Sequence, residues 1–447
     1  MRSVNPWTGE VLARHAAHSA GEVERRLQLC AKSQTANQGR SIAARGAPLL
    51  RLGELLEERA EALGALATAE MGKPISEAIG EVNKCATVCR YYAQRAEELL
   101  APAPTGAPEA HVRFDPLGVV LAVMPWNFPY WQVLRFGAPA WMAGNTMLIK
   151  HAPNTLGCAK ALESLALEAG FPEGAMSLVI VDVDEVPALI RDPRVAAVTV
   201  TGSERAGSAV ASVAGAALKK CVLELGGSDP FIVFADADLD AAVAGAVAAR
   251  IQNNGQSCCA AKRFLVESRV ASDFGQRLVA AFEALEVGDP SSASCRLGPL
   301  AREDLVETLG AQVEDSVAAG ARLLCGGSRQ RLVYAPTVLV DVREGMRVFD
   351  EETFGPVAAV TAFSDLEQAL ALSNASAYGL TASIWTADVP SALGLARRLE
   401  VGGVFLNRIP GSDPRFPFGG VKKSGYGREL GVEGIREFVN VKTVWVQ

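Results

Sequence analysis

The sequence predicts an α/β protein made of two doubly wound domains, and three observations carry that prediction. At about 150 residues per domain, the 447 residues allow two or three cores. After Pro116, short β-rich runs alternate with Ala-rich segments of helical length. A second alternating series begins near Arg263-Phe264-Leu265-Val266, beyond the pair Gly226-Gly227 that marks the boundary. Strands that alternate with helices imply a mostly parallel sheet, with ligands outside the C-terminal strand ends.

Each element follows from its local pattern. From Pro48 to Ala69, leucines at 49, 52, 55, 56, 63 and 66 recur at helical spacing, and Gly72-Lys73-Pro74 supplies a stop, so one long amphipathic helix is expected. The segment 101–108, Ala-Pro-Ala-Pro-Thr-Gly-Ala-Pro, reads as a linker, since its prolines oppose helix. It leads to a strand at Ala110–Phe114 that leaves the domain body. The uncharged run between Asp115 and Arg135 is nominally long enough to cross a bilayer, but Pro116, Pro125, Asn127, Pro129 and Gln132 make it a strand and a structured loop. The first series places strands at Val119–Val123, Thr146–Lys150, Leu178–Val181, Ala197–Thr201, Cys221–Leu225 and Phe231–Phe234, with helices at Thr155–Ala169, Glu204–Ala217 and Leu239–Ile251. The second gives helices near 270–284 and 302–319 and strands at Ala335–Val340, Val357–Phe363 and Gly403–Asn407.

Composition excludes several classes of function. With 49% hydrophobic and 21% charged residues the chain is globular, not disordered. A net charge of -7 removes any general attraction to nucleic acid or anionic lipid. Nine Cys with no C-x-x-C pair disfavour a disulfide framework and a zinc site, and no metal is expected. The N-terminus, Met1-Arg2-Ser3-Val4-Asn5-Pro6, lacks the apolar region of a secretory signal, so a cytoplasmic protein is expected.

Four short segments can carry chemistry. In Asn253-Asn254-Gly255-Gln256-Ser257-Cys258-Cys259, turn residues precede two thiols at a helix-to-strand junction, where a thiol can be exposed and reactive; buried packing is the alternative. Glu224, in an apolar strand ahead of Gly226-Gly227, is placed for the desolvation that suits a general base, or for bonding backbone amides. Asn127, held between Pro125 and Pro129, offers an amide donor to a developing oxyanion, or simply builds a rigid turn. Thr201-Gly202-Ser203-Glu204-Arg205-Ala206-Gly207 joins a strand to a helix whose N-terminus can hold phosphate, although it lacks G-x-G-x-x-G. The four His all lie at or before residue 151, so a carboxylate is the more natural base for a nucleophile here.

Taken together and in this order, these pieces resemble the aldehyde dehydrogenase superfamily. The resemblance runs from Asn5-Pro6-Trp7-Thr8-Gly9-Glu10 to Val441-Lys442-Thr443-Val444. It includes Glu351-Glu352-Thr353-Phe354-Gly355-Pro356, Pro417-Phe418-Gly419-Gly420 and Ser424-Gly425-Tyr426-Gly427-Arg428-Glu429. The stretches 148–154 and 221–230 are most similar to bacterial NAD-linked succinate semialdehyde dehydrogenases.

The resemblance implies a Rossmann-like cofactor domain at 1–107 and 119–226, a catalytic domain at 227–430, and a small β oligomerisation arm at 108–118 and 431–447. It makes Cys258 the nucleophile, because the family's thiol follows Gly-Gln-x, with Asn127 and the Cys258 N–H as oxyanion hole and Glu224 activating water. Cofactor contacts are implied for Trp126, Lys150, Gly202, Ser203, Gly207, Glu352 and Phe354. Pro153 stands where many members carry an acid three positions after the cofactor Lys, so NAD is favoured by the subgroup and NADP is left open. Arg135 matches a carboxylate-binding Arg. Gln252, six residues before Cys258, replaces a second one, and Arg415 is expected to supply the lost charge. Arg135 also fits a structural ion pair, and Arg415 a solvated position.

The resulting expectation is NAD(P)-dependent oxidation of succinate semialdehyde, or a similar short carboxylated aldehyde, by a homodimer or homotetramer with no nucleic-acid or membrane partner. The alternatives are a dehydrogenase for uncharged aldehydes, a cofactor-independent thiol esterase, and a noncatalytic protein on the same fold.

Overall fold

The computed structural model describes residues 1–446. Two parallel-rich sheets organise the chain. The first runs in the order Gly425–Tyr426, Lys220–Glu224, Val195–Thr201, Val119–Val123, Thr146–Lys150, Met176–Val179, and only the Gly425–Tyr426 pairing is antiparallel. The strand Val119–Val123 starts the series, and successive strands are added first on one side and then on the other. The order therefore reverses between Val119–Val123 and Val195–Thr201, which opens a crevice beyond their C-terminal ends. The second sheet has seven strands, with Asp229–Val233 between Ala261–Glu267 and Thr381–Trp385, and Gly403–Leu406 at one edge.

The strands form where β-branched and apolar residues are buried on both faces, as Val119, Val120, Leu121 and Ala122 are. The chain passes from one sheet to the other between Glu224 and Asp229. Near the C-terminus it returns to the first. Gly425–Tyr426 pairs with Leu223 and Glu224, and the helix Gly431–Arg436 places Ile435 in the core that contains Phe136 and Trp141. The expected division at 430 thus cuts through residues packed on the first sheet. Of the C-terminal segment, only Val439–Trp445 pairs with Ala110–Pro116.

Three expected elements differ. The single helix over 48–69 is two helices, Ile42–Glu58 and Ala60–Met71, interrupted at Arg59 (φ -116, ψ 17). The first starts ahead of Pro48 because Ser41 caps it: the Ser41 side chain accepts from the Ala44 N–H, which leaves Pro48 inside the helix. The run between Asp115 and Arg135 is not all strand and loop, because the helix Trp131–Met142 begins within it. Every residue of that helix is buried, so it shows no polar face and no amphipathic period to read. The expected linker contains a short strand, Ala103–Pro104, paired with Val112 and His111. Among the described residues, no helix is long and apolar enough to cross a membrane.

A 25-residue helix, Ile75–Leu99, lies beneath these elements and packs against both helices that precede it. Its Glu81 is fully buried, forms an ion pair with Lys73, and accepts the N–H groups of Tyr130 (2.8 Å) and Trp131 (2.9 Å). This carboxylate therefore sets where the helix Trp131–Met142 begins. Removing one partner of a buried pair strands the other charge. Lys73→Met is expected to lower the unfolding free energy by about 3–5 kcal/mol, read by denaturant titration. A loss under about 1 kcal/mol would mean that the two backbone amides alone satisfy Glu81.

Candidate active site

The crevice at the strand reversal is lined by Trp126 and Asn127 from one strand end, Gly202 and Ser203 from the other, and Leu225 and Gly226 from the crossing between sheets. Glu352 and Phe354 reach it from the second sheet's side, and the Phe354 ring stands edge-on to Trp126 at 5.9 Å. Glu352 accepts the Gly227 N–H at 3.0 Å. Ser203 caps the helix Glu204–Ala216 through the Ala206 N–H, so that helix's N-terminus points at the crevice. Lys150 ends its strand nearby, but it is not among the residues lining this cavity. Burial lowers its ammonium pKa, and Asp182 opposes the shift.

A second cavity of about 270 Å³ lies on the other side of Cys258. Phe128, Trp131 and Phe418 give it apolar walls, and Gln132, Arg135, Gln252 and Cys259 also face it. Cys258 lines both cavities, whereas Cys259 lines only the second. The thiol is brought there by three consecutive left-handed residues, Asn253 (φ 56), Asn254 (φ 58) and Gly255 (φ 76). Asn tolerates this region better than most residues. Gly255 is required, because a Cβ there would lie 2.3 Å from the Gly355 backbone.

The turn's own side chains tie it to distant backbone. Asn253 Nδ2 donates to the Asn127 and Gln256 carbonyls (2.8 and 2.9 Å), and Asn254 Nδ2 donates to those of Gly72 and Pro299 (2.8 and 2.9 Å). Lys262, fully buried, donates to the Ser257 and Cys258 carbonyls at 3.0 and 2.7 Å. Asn127 Nδ2 donates one hydrogen to the Gln256 carbonyl at 3.0 Å, which leaves its second hydrogen free beside Cys258. The two thiols titrate as a pair: their mutual hydrogen bond lowers the pKa of Cys259 and raises that of Cys258, and burial opposes the charged form of both. Arg135 and Lys262 both favour thiolate on Cys258.

Glu224 is buried with neither carboxylate oxygen hydrogen-bonded, and desolvation raises its pKa well above the usual carboxylate range. It lines neither cavity. Its nearest cation is Arg135, at 3.8 Å, and Arg135 also pairs with the buried Glu429 and donates to Thr201 Oγ1 at 3.3 Å. The expectation that Arg135 is free to receive a substrate carboxylate is therefore corrected: its guanidinium is paired with Glu429 and bonded to Thr201, with Glu224 within ion-pair distance. Arg415 is corrected as well. It is exposed, pairs with Asp413 at 2.7 Å, and lies outside the cavity that Cys259 lines. Gly207 offers no donor to a phosphate, because its N–H bonds the Ser203 carbonyl within the helix. It is glycine because a Cβ would meet Leu225 at 2.5 Å.

Sequence reasoning missed Lys262, Gln132 and the polar face of the Ile75–Leu99 helix. On that face Glu77, Gly80, Glu81 and Lys84 line the second cavity. Their spacing of three, four and seven residues was the available signal.

The family model for the aldehyde dehydrogenase family matches residues 1–444. The chain belongs to this family. It is 50% identical over 449 residues to a probable succinate-semialdehyde dehydrogenase [NADP(+)] of Synechocystis sp., covering 99% of each chain. It is also 50% identical over 448 residues to the succinate semialdehyde dehydrogenase [NAD(P)+] Sad of Escherichia coli, covering 99% of this chain and 97% of that one. Among solved structures, it superposes on succinic semialdehyde dehydrogenase from Streptococcus pyogenes in complex with NADP+ with a TM-score of 0.97 and 34% identity, covering 100% of this chain and 99% of the other.

Arg135→Met would leave Glu429 and Glu224 buried without their counter-charge. It is expected to cost about 3–5 kcal/mol of stability. Turnover of carboxylated and uncharged aldehydes should fall in equal proportion, as paired kcat/KM measurements would read. A loss confined to carboxylated aldehydes would return Arg135 to the substrate.

Proposed function

We propose that this aldehyde dehydrogenase oxidises succinate semialdehyde to succinate with NADP or NAD as electron acceptor. The observation that carries the reading is the position of Cys258 in the wall common to two cavities, so that one sulfur can face a substrate on one side and a cofactor on the other. The substrate is supported by the names of the relatives, and the choice of both cofactors by the NADP(+) and NAD(P)+ in those names together with Pro153, which carries no charge to repel a 2′-phosphate.

The residues present fit a dinucleotide. The edge-on rings of Trp126 and Phe354 would flank the nicotinamide end, Glu352 would meet its ribose, Ser203 and the helix N-terminus the pyrophosphate, and Lys150 the adenosine ribose. When bound, the oxidised nicotinamide supplies the hydride acceptor. Cys258 thiolate adds to the aldehyde carbon, forming a C–S bond and an alkoxide that the free hydrogen of Asn127 Nδ2 and the Cys258 N–H would stabilise. After oxidation, Cys258 holds a thioester. Glu224 then takes a proton from water as the hydroxyl attacks the acyl carbon, and Cys258 leaves as thiolate. Because Glu224 lines neither cavity, its side chain must rotate away from Arg135 and Gly419 to do so.

We further propose a cytoplasmic homo-oligomer. Its nine free thiols favour a reducing compartment. Assembly by strand addition is supported by Val439–Trp445, an edge strand with Val441 and Trp445 exposed, and by the second open edge at Gly403–Leu406.

An aldehyde panel with both cofactors, followed by reduced nicotinamide formation, tests the activity, and no turnover on any aldehyde would refute it. Cys258→Ala should abolish turnover, while Cys259→Ala keeps most of it. The reverse outcome would move the nucleophile by one residue. Glu224→Gln should retain the first burst of reduced cofactor and slow steady turnover by about two to four orders of magnitude. Loss of the burst would place Glu224 before hydride transfer.

A further inference from the structure

Resting on the substrate reading above, we propose that Lys84, positioned by Ser412, is the receptor for the distal carboxylate of the substrate. Two cations face the cavity beside Cys258, and their partners separate them. Arg135 is already paired with Glu429, and Glu224 lies 3.8 Å from it. Lys84 has no carboxylate within ion-pair distance among the described residues. Its ammonium donates to Ser412 Oγ at 2.8 Å and sits 4.2 Å from the centre of the Trp131 ring. An ammonium has three hydrogens, so this arrangement leaves it donors to give.

The surroundings favour an anion at that place. Burial lowers the Lys84 pKa, which marks an ammonium short of solvation, while a thiolate on Cys259 raises it. The acidic side chains on the same helix face are occupied: Glu81 by Lys73 and two backbone amides, and Glu77 by the Asn253 N–H at 2.5 Å. Asp413, next to Ser412, pairs with Arg415. The rings of Phe128, Trp131 and Phe418 provide the apolar wall that a short methylene chain needs between Cys258 and Lys84. The charge missing at Gln252 thus comes from the Ile75–Leu99 helix, and not from Arg415.

The test is the ratio of kcat/KM for succinate semialdehyde to that for butanal, an uncharged aldehyde of equal length. Lys84→Met should lower this ratio about 30-fold or more, as expected for truncating one member of a desolvated charge pair. Ser412→Ala, on a loop and less able to disturb folding, should lower it roughly 3- to 10-fold. A ratio unchanged in both variants would overturn the assignment, even if both aldehydes reacted more slowly. A wild-type ratio near one would instead overturn the substrate reading, so the two failures are distinguishable.

Discussion

The turn at Asn253-Asn254-Gly255 is the constraint on which the site depends. Left-handed backbone costs an L-residue roughly 1–2 kcal/mol, and here two consecutive non-glycine residues adopt it. The conformation persists because the surroundings over-determine it: Gly355 backs it, Glu77 receives the Asn253 N–H, and Lys262 ties down the carbonyls that follow. Pre-organisation of this kind is what lets a single sulfur present itself to two cavities without a conformational change at each step.

Charge in the interior follows a related logic. Glu224 and Glu429 share Arg135, so the buried cluster has more carboxylate than guanidinium, and desolvation raises both carboxyl pKa values. A carboxyl group kept in that condition accepts a proton near neutrality more readily than one in water, which is the property a water-activating base needs. Arg135 opposes that rise in both carboxyl groups.

The strands were legible because β-branched runs between turn residues are a local signal, and the turn before Cys258 was legible because Asn-Asn-Gly is unusual punctuation. The helix Trp131–Met142 was not, since burial on every side erases the period. The partner of Arg135 was invisible for another reason: Glu429 is 294 residues away, and nothing local to either residue marks the contact. Gly207 misled because a glycine that admits Leu225 looks, in sequence, like one that admits a phosphate. Arg135 and Arg415 both have a carboxylate of the chain as partner. A positive charge can be counted in a sequence, but its counter-ion cannot.

The helix Ile75–Leu99 has a consequence for how such an enzyme diversifies. Glu77 braces the reactive turn, Glu81 anchors the neighbouring helix, and Lys84 stands one turn further along the same rod. The first two hold backbone in place, whereas the third bonds neither the turn nor Asn127. Selection can therefore act at one codon of this rod and change what is accepted while the rest of the machinery is inherited intact.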